Sequence, residues 1–342
     1  MSRTFVVGDI HGCYDELIRL SAQIGLKEDD LLISVGDIID RGGKSKEVYH
    51  YFRNRPNSIV LAGNHERKHQ HGALSYAQEI VKLQFSDEYP AFLAWCASLA
   101  YYHETEDAVI VHAALEHDCA LAEQREDVLC GSTAGDRYLE KKYGTSAEWV
   151  NRYQGVKPVI YGHHVTGDVP EVKNNTFGID TGACHGGYLT AIELPGFIVH
   201  RVKAERDYWK DEQARWQIPV LRAKDWENMS FESIRKQLDK LAYIEVPEVK
   251  AFLADIESWS SGLTSLYPVI MEALAAFVEQ LVSAYGAEFS QAANHYVFKT
   301  YLFKSKVNNL KIEDMQKSLN TPAKVMELAR ALGVTVVPVR NE

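Results

Sequence analysis

Residues 4–12 read TFVVGDIHG. A short strand-forming run, two of its residues β-branched valines, leads without a break into Gly-Asp and then His. The same pattern occurs twice more, as LLISVGDIIDRG at 31–42 and SIVLAGNHE at 58–66. Apolar runs that end abruptly in glycine and polar residues read as buried strands whose ends open into a site. Between them, YDELIRLSAQIGL (14–26) and SKEVYHYFRN (45–54) carry apolar residues at helical spacing. The two Asp of the GD pairs and the Asn of the third cluster lie 28 and 27 residues apart, about one strand–helix unit each. Adjacent parallel strands would therefore bring Asp9, His11, Asp37 and Asn64 together.

Working outward, further strands are predicted in AVIVHAAL (108–115), PVIYGHH (158–164), TFGIDTG (176–182), YLTAIEL (188–194) and FIVHRVK (197–203). Two of these end in a histidine, His112 and His163. Strands alternating with helices imply an α/β layered core, placed over residues 1–203. After Val202 the texture changes to charged and aromatic, and from Ser230 it is almost wholly helical. Residues 204–342 are read as a mostly helical accessory domain without a dense polar motif. The tail ALGVTVVPVRNE is expected to add a short extended piece.

Carboxylate, imidazole and amide oxygen together suit Mn, Fe, Zn, Ni or Mg better than a thiolate set would. Two cations need a ligand with two oxygens to bridge them, and water held between them loses a proton near neutral pH. The residue types therefore point to metal-assisted hydrolysis.

GDIHG (8–12), GDIIDRG (36–42) and GNHE (63–66), in this order, resemble the motifs of the PPP-type, calcineurin-like metallophosphoesterases. That family includes Ser/Thr protein phosphatases, symmetrical diadenosine tetraphosphatases and the phosphatase module of bacterial polynucleotide kinase-phosphatases. The resemblance covers about residues 1–203. It implies an αββα sandwich with the helical part appended. It further implies two divalent metal ions, manganese foremost, with Asp9 and His11 on the first and Asn64, His112 and His163 on the second. Asp37 would bridge them. His65 would be the general acid, Asp40 its orienting carboxylate and Arg41 the phosphate clamp. Asp180 would support the site. The Arg that eukaryotic protein phosphatases carry just before GNHE is Ala62 here, so part of the clamp must come from elsewhere. Arg137 and Arg152 are candidates. HAA stands for the usual HAG, and GHH for GHT, which makes His164 an extra polar group beside the metals.

Other residues read more plainly. Glu66 is a hydrogen-bonding partner for the site, Asp180 a buried acceptor, and Cys13 and Cys184 small buried residues. His69 and His71 read as solvated loop residues. His164 and His185 divide evenly between facing substrate and a structural role. The lysines of FKTYLFKSKVNNLK (298–311) suit a solvated helix face better than a nucleic acid.

The formal net charge of −10 argues against a whole-surface grip on nucleic acid. Five irregularly spaced cysteines without C-x-x-C fit a reducing compartment, and no uninterrupted apolar run of about 20 residues suggests a membrane span. A cytoplasmic enzyme is expected. Its substrates would be phosphomonoesters, including phosphoserine and phosphothreonine in proteins. The alternatives are a symmetrical dinucleoside tetraphosphate, a 2′,3′-phosphate RNA end, or a non-enzymatic partner-binding scaffold.

Overall fold

The computed structural model describes residues 2–336. It divides into two compact units, with the boundary between Val220 and Leu221. The first begins with β1 (Thr4–Val7), α1 (Tyr14–Gln23), β2 (Leu31–Ser34), α2 (Ser45–Asn54) and β3 (Ser58–Val60). Helices α3 (Asn64–Gln70), α4 (Tyr76–Phe85) and α5 (Tyr89–Cys96) follow, then β4 (Tyr102–Glu104) and β5 (Val109–Val111). Next come α6 (Glu126–Leu129), α7 (Thr133–Tyr143), α8 (Trp149–Arg152), β6 (Val159–Tyr161), β7 (Glu171–Lys173) and β8 (Thr176–Gly178). The unit closes with β9 (Tyr188–Leu194), β10 (Ile198–Lys203) and most of α9 (Tyr208–Arg222).

Two mixed five-stranded sheets result, in the orders β10-β9-β1-β2-β3 and β4-β5-β6-β8-β7. The first three strands are parallel and in consecutive register, Val6 opposite Ile33 and Ile33 opposite Ile59. Val6, Ile33 and Ile192 of one sheet share a buried cluster with Ile110 and Ile160 of the other. The outer face of the first sheet is covered through Leu17, Leu20, Val48 and Phe52 of α1 and α2. The outer face of the second is covered through Val128, Leu139 and Trp149 of α6, α7 and α8. This is the expected αββα sandwich. Strands β4 and β7, three residues each at the two edges of their sheet, were not foreseen.

The structure carries α9 with the sandwich, whereas the sequence reading placed the domain boundary after Lys203. Trp209 N–H donates to the Cys184 carbonyl at 3.0 Å, and the Tyr208 hydroxyl donates to Glu16 Oε1 at 2.8 Å.

The second unit is helical: α10 (Phe231–Leu241), α11 (Pro247–Thr264), α12 (Tyr267–Tyr285), α13 (Phe289–Asn294), α14 (Lys299–Lys306), α15 (Ile312–Ser318) and α16 (Pro322–Ala331). Pro247 and Pro268 each sit in a first helical turn, where a missing N–H costs nothing. Buried Tyr267, Ile270, Leu274, Val278 and Leu281 form one stripe of α12 at helical spacing. The helical stretch Pro247–Asn294 nevertheless contains an 18-residue window of mean hydropathy 1.4, long and apolar enough by length and composition to cross a membrane. An expectation based on uninterrupted apolar runs passes over it because Glu272 and Glu279 break the run. In the lysine run, Lys304 pairs with Asp314 at 3.0 Å and Lys306 lies over the Phe289 ring at 4.0 Å. The extended piece expected in the tail falls largely outside the described residues.

Candidate active site

The ends of β1, β2, β3, β5, β6 and β8 each deliver a polar group to one buried region of the first unit. His11, Asp37, Asp40, Arg41 and His163 all have φ between 46° and 69°, a left-handed backbone that side-chain-bearing residues rarely adopt. Hydrogen bonds hold this geometry. Ile10 and His11 N–H both donate to the Asp37 carbonyl, and Gly12 N–H donates to Ile38. Glu66 accepts the N–H groups of Asp37, Ile38 and Gly63 at 2.9–3.0 Å, which ties the β2 loop to the start of α3. Burial and Asp37 push the Glu66 carboxyl up to about 8 against those donors. Gly63 and Gly162 are required where they stand: a Cβ at either would collide with the Asp37 or the Asp9 carboxylate.

The donor set fits divalent cations by the chemistry of its own atoms. His11 Nδ1 lies 2.9 Å from the Ile39 carbonyl and His112 Nδ1 lies 3.1 Å from the Val35 carbonyl. A carbonyl only accepts, so each Nδ1 carries the hydrogen and each Nε2 presents a lone pair. Burial, with Arg41 and His65 nearby, keeps His11 neutral; burial likewise lowers His112. Those two lone pairs face Asp37 Oδ2 at 3.6 and 3.5 Å. His112 Nε2 also faces Asn64 Oδ1 at 3.2 Å. Acceptors aimed at one another without an intervening hydrogen repel, unless a cation stands among them. Asp9 points the same way: burial, then Asp180 and Asp37, push its carboxyl well above the usual range. Burial raises the Asp37 carboxyl, and the His65 backbone N–H, donating to Oδ1 at 3.0 Å, is among the groups that bring it below its usual range.

His11, Asp37 and His65 form one group of potential ligand atoms within 4.8 Å of one another, and Asp37, His112 and His163 form another. Asp37 belongs to both. Asn64 Oδ1 lies 3.0 Å from His163 Nδ1, and His163 N–H donates to Asp9 Oδ1 at 3.1 Å. All six residues read from the sequence as ligands are thus in one cluster.

His65 Nδ1 lies 2.5 Å from Asp40 Oδ2, and its Nε2 accepts from the Arg41 guanidinium at 3.2 Å. Arg41 also lies against Cys184; burial pushes that thiol up to about 12, while Arg41 draws it down. Asp180 accepts the Gly182 N–H at 3.0 Å, and burial pushes its carboxyl up to about 6.

The structure corrects the reading of His69, which is buried, not solvated. Helix α3 starts at Asn64, so His65 and His69 are four residues apart on one face. Both reach Asp40, His69 through Nε2 at 3.0 Å to the second oxygen, with its Nδ1 2.9 Å from the Tyr89 hydroxyl. The i, i+4 spacing was the available signal. Gln78 also donates to Asp40 Oδ2, and its Nε2 lies 3.1 Å from His65 Nδ1. Nothing local in the sequence marked it.

The residues offered to complete the phosphate clamp are all exposed. Arg137 is exposed on α7. Arg152 is exposed, its guanidinium 5.3 Å over the Tyr143 ring. His164 is exposed and its ring packs edge-on against His163 at 4.5 Å; with Asp136 these two form a third group of potential ligands. His71 is exposed, as expected.

Residues 2–251 match the calcineurin-like phosphoesterase family. Among curated proteins the chain is similar to the asymmetrical bis(5′-nucleosyl)-tetraphosphatase PrpE of Bacillus velezensis. Identity is 29% over 235 residues, 59% of this chain and 93% of that one. The enzyme of the same name from Halalkalibacterium halodurans is 32% identical over 228 residues, 56% of this chain and 89% of that one. Among solved structures, a protein serine/threonine phosphatase from Saccharomyces cerevisiae covers 59% of this chain and 80% of its own, at 16% identity and a TM-score of 0.44. The family uses divalent metals, and the His/Asp groups above could hold them. The chain is a phosphate-ester hydrolase and belongs to the calcineurin-like phosphoesterase family.

Proposed function

We propose that the chain hydrolyses dinucleoside tetraphosphates, using two divalent ions with manganese as first choice. The observation that carries the chemistry is Asp37 Oδ2, which lies between the neutral Nε2 atoms of His11 and His112. Asp9, His11 and Asp37 would hold one ion; Asp37, Asn64, His112 and His163 would hold the other. When bound, the pair supplies positive charge to the phosphate oxygens and acidity to an attacking water. Arg41 supplies a planar donor fork for the same phosphate. In the free protein Arg41 donates to His65 Nε2. A phosphate that draws the guanidinium away leaves that nitrogen free to carry a proton to the leaving oxygen. Asp40 holds the ring through Nδ1–H while this happens.

The substrate rests on the relatives. The matched region spans 89–93% of proteins named as asymmetrical tetraphosphatases. That supports cleavage to a nucleoside monophosphate and a triphosphate over the symmetrical cut, and over phosphoserine or phosphothreonine in proteins as the main substrate. Five free cysteines fit a cytoplasmic setting. The test is product analysis with diadenosine tetraphosphate and Mn, beside a phosphoserine peptide and an RNA 2′,3′-phosphate end. AMP and ATP in equal amounts are expected. ADP alone would replace the asymmetrical cut by the symmetrical one. Turnover of the peptide or the RNA end with the tetraphosphate untouched would overturn the reading.

A further inference from the structure

A cavity of about 600 Å³ lies beside the candidate centre, walled by α8, β7 and the loop between β6 and β7. His164 lines it, and the His164 ring packs on that of His163. The cavity thus begins one residue from a candidate metal ligand. Its size suits a small organic molecule and far exceeds what a phosphoryl group needs. Val165 and Val169, 55% and 57% exposed, offer apolar surface on the loop side, and Trp149 backs the wall. The Glu171 carboxylate is also in the wall, where the Tyr161 hydroxyl reaches it only at 3.5 Å. Aliphatic surface for a flat ring and a carboxylate able to accept from vicinal hydroxyls are the two contacts a nucleoside asks for.

We propose that this cavity is a nucleoside subsite of the tetraphosphate substrate. The inference rests on the tetraphosphate reading above and adds its register. A nucleoside seated next to the metal cluster brings the phosphates nearest that nucleoside to the ions, and the rest of the chain leaves as the larger product. Val165 and Val169 pack the base; Glu171 accepts from the ribose hydroxyls.

The experiment is calorimetric titration of the full-length, manganese-reconstituted protein with AMP, ribose 5-phosphate and inorganic phosphate. AMP is expected to bind at least about tenfold tighter than ribose 5-phosphate, roughly 1.4 kcal/mol. Val165→Trp, which fills the cavity from an exposed position, removes that preference and leaves phosphate affinity unchanged. Glu171→Gln weakens AMP and ribose 5-phosphate together, again without effect on phosphate. Equal affinity for AMP and ribose 5-phosphate in the unmodified protein overturns the subsite, as does a preference that survives Val165→Trp. The two proposals fail separately. AMP preference without tetraphosphate cleavage keeps the subsite and sinks the catalytic reading; asymmetric cleavage without AMP preference does the reverse.

Discussion

His65 Nδ1 sits 2.5 Å from Asp40 Oδ2, both groups buried and the aspartate fully so. A carboxylate this close fixes the ring's tautomer and its orientation. General acid help is worth roughly 10²–10⁴-fold, and only where the leaving oxygen needs a proton. His65→Asn should therefore slow hydrolysis of an alkyl phosphate such as phosphoserine far more than that of nitrophenyl phosphate, with metal content unchanged. Asp40→Asn should show the same contrast more weakly. Steady-state rates on both esters, with metal analysis, decide it; equal losses would remove His65 from the role of acid.

Asp40 is also held from behind. Its second oxygen meets His69 Nε2 at 3.0 Å, and Gln78 donates to the first. Burial alone would raise the Asp40 carboxyl, yet His69 and His65 hold it below its usual range. Removing one partner leaves a buried charge under-satisfied, at a cost of about 3 kcal/mol. His69→Ala should lower the urea midpoint accordingly. A midpoint shift equivalent to less than about 0.5 kcal/mol, the range of an ordinary surface change, would mean that His69 does not support the anion.

Asp37 lies in both ligand groups, so one substitution there should weaken two sites. Metal analysis of the manganese-reconstituted protein should give close to two ions per chain, falling below one in Asp37→Asn. Gly63→Ala should act similarly without touching a ligand, because its Cβ would push into the Asp37 carboxylate. EDTA should abolish hydrolysis. Unchanged metal content in Asp37→Asn, or full activity in metal-free protein, would refute the shared site.

Acid sensitivity has a source away from the centre. Burial raises the Asp30 carboxyl, but Arg3 at 2.6 Å and the N–H groups of Lys27 and Arg3 at 2.9 and 3.0 Å outweigh it and hold it at about 2. The same group in an unfolded chain titrates near ~3.9. Its contribution, roughly 2 kcal/mol, is therefore present above about pH 4 and is lost as pH falls toward 2. Asp30→Asn should lower stability at pH 7 and flatten its decline between pH 4 and 2. Denaturation curves that stay parallel across this range would rule the pair out as a source of acid sensitivity.

The strands carrying GDIHG, GDIIDRG and GNHE were legible because each signal is local. An apolar run, a glycine and a polar cluster are covalently contiguous, and the length of one strand–helix unit sets the spacing that puts β1, β2 and β3 side by side. That spacing alone brings Asp9, His11, Asp37 and Asn64 together. His112 and His163 came from strand ends in the second sheet by the same logic. What surrounds Asp40 was not legible in that way. Its partners His69 and Gln78 lie 29 and 38 residues away, and they reach it only because α3 and α4 pack with particular faces inward. The exposure of Arg137 and Arg152, the three-residue edge strands and the cavity beside His164 were likewise decided by tertiary packing. The sequence by itself determined which groups stand at the strand ends, since covalent order and strand length dictate that. Only the folded chain decided which of them are buried against one another, because burial depends on contacts between segments that no local pattern encodes.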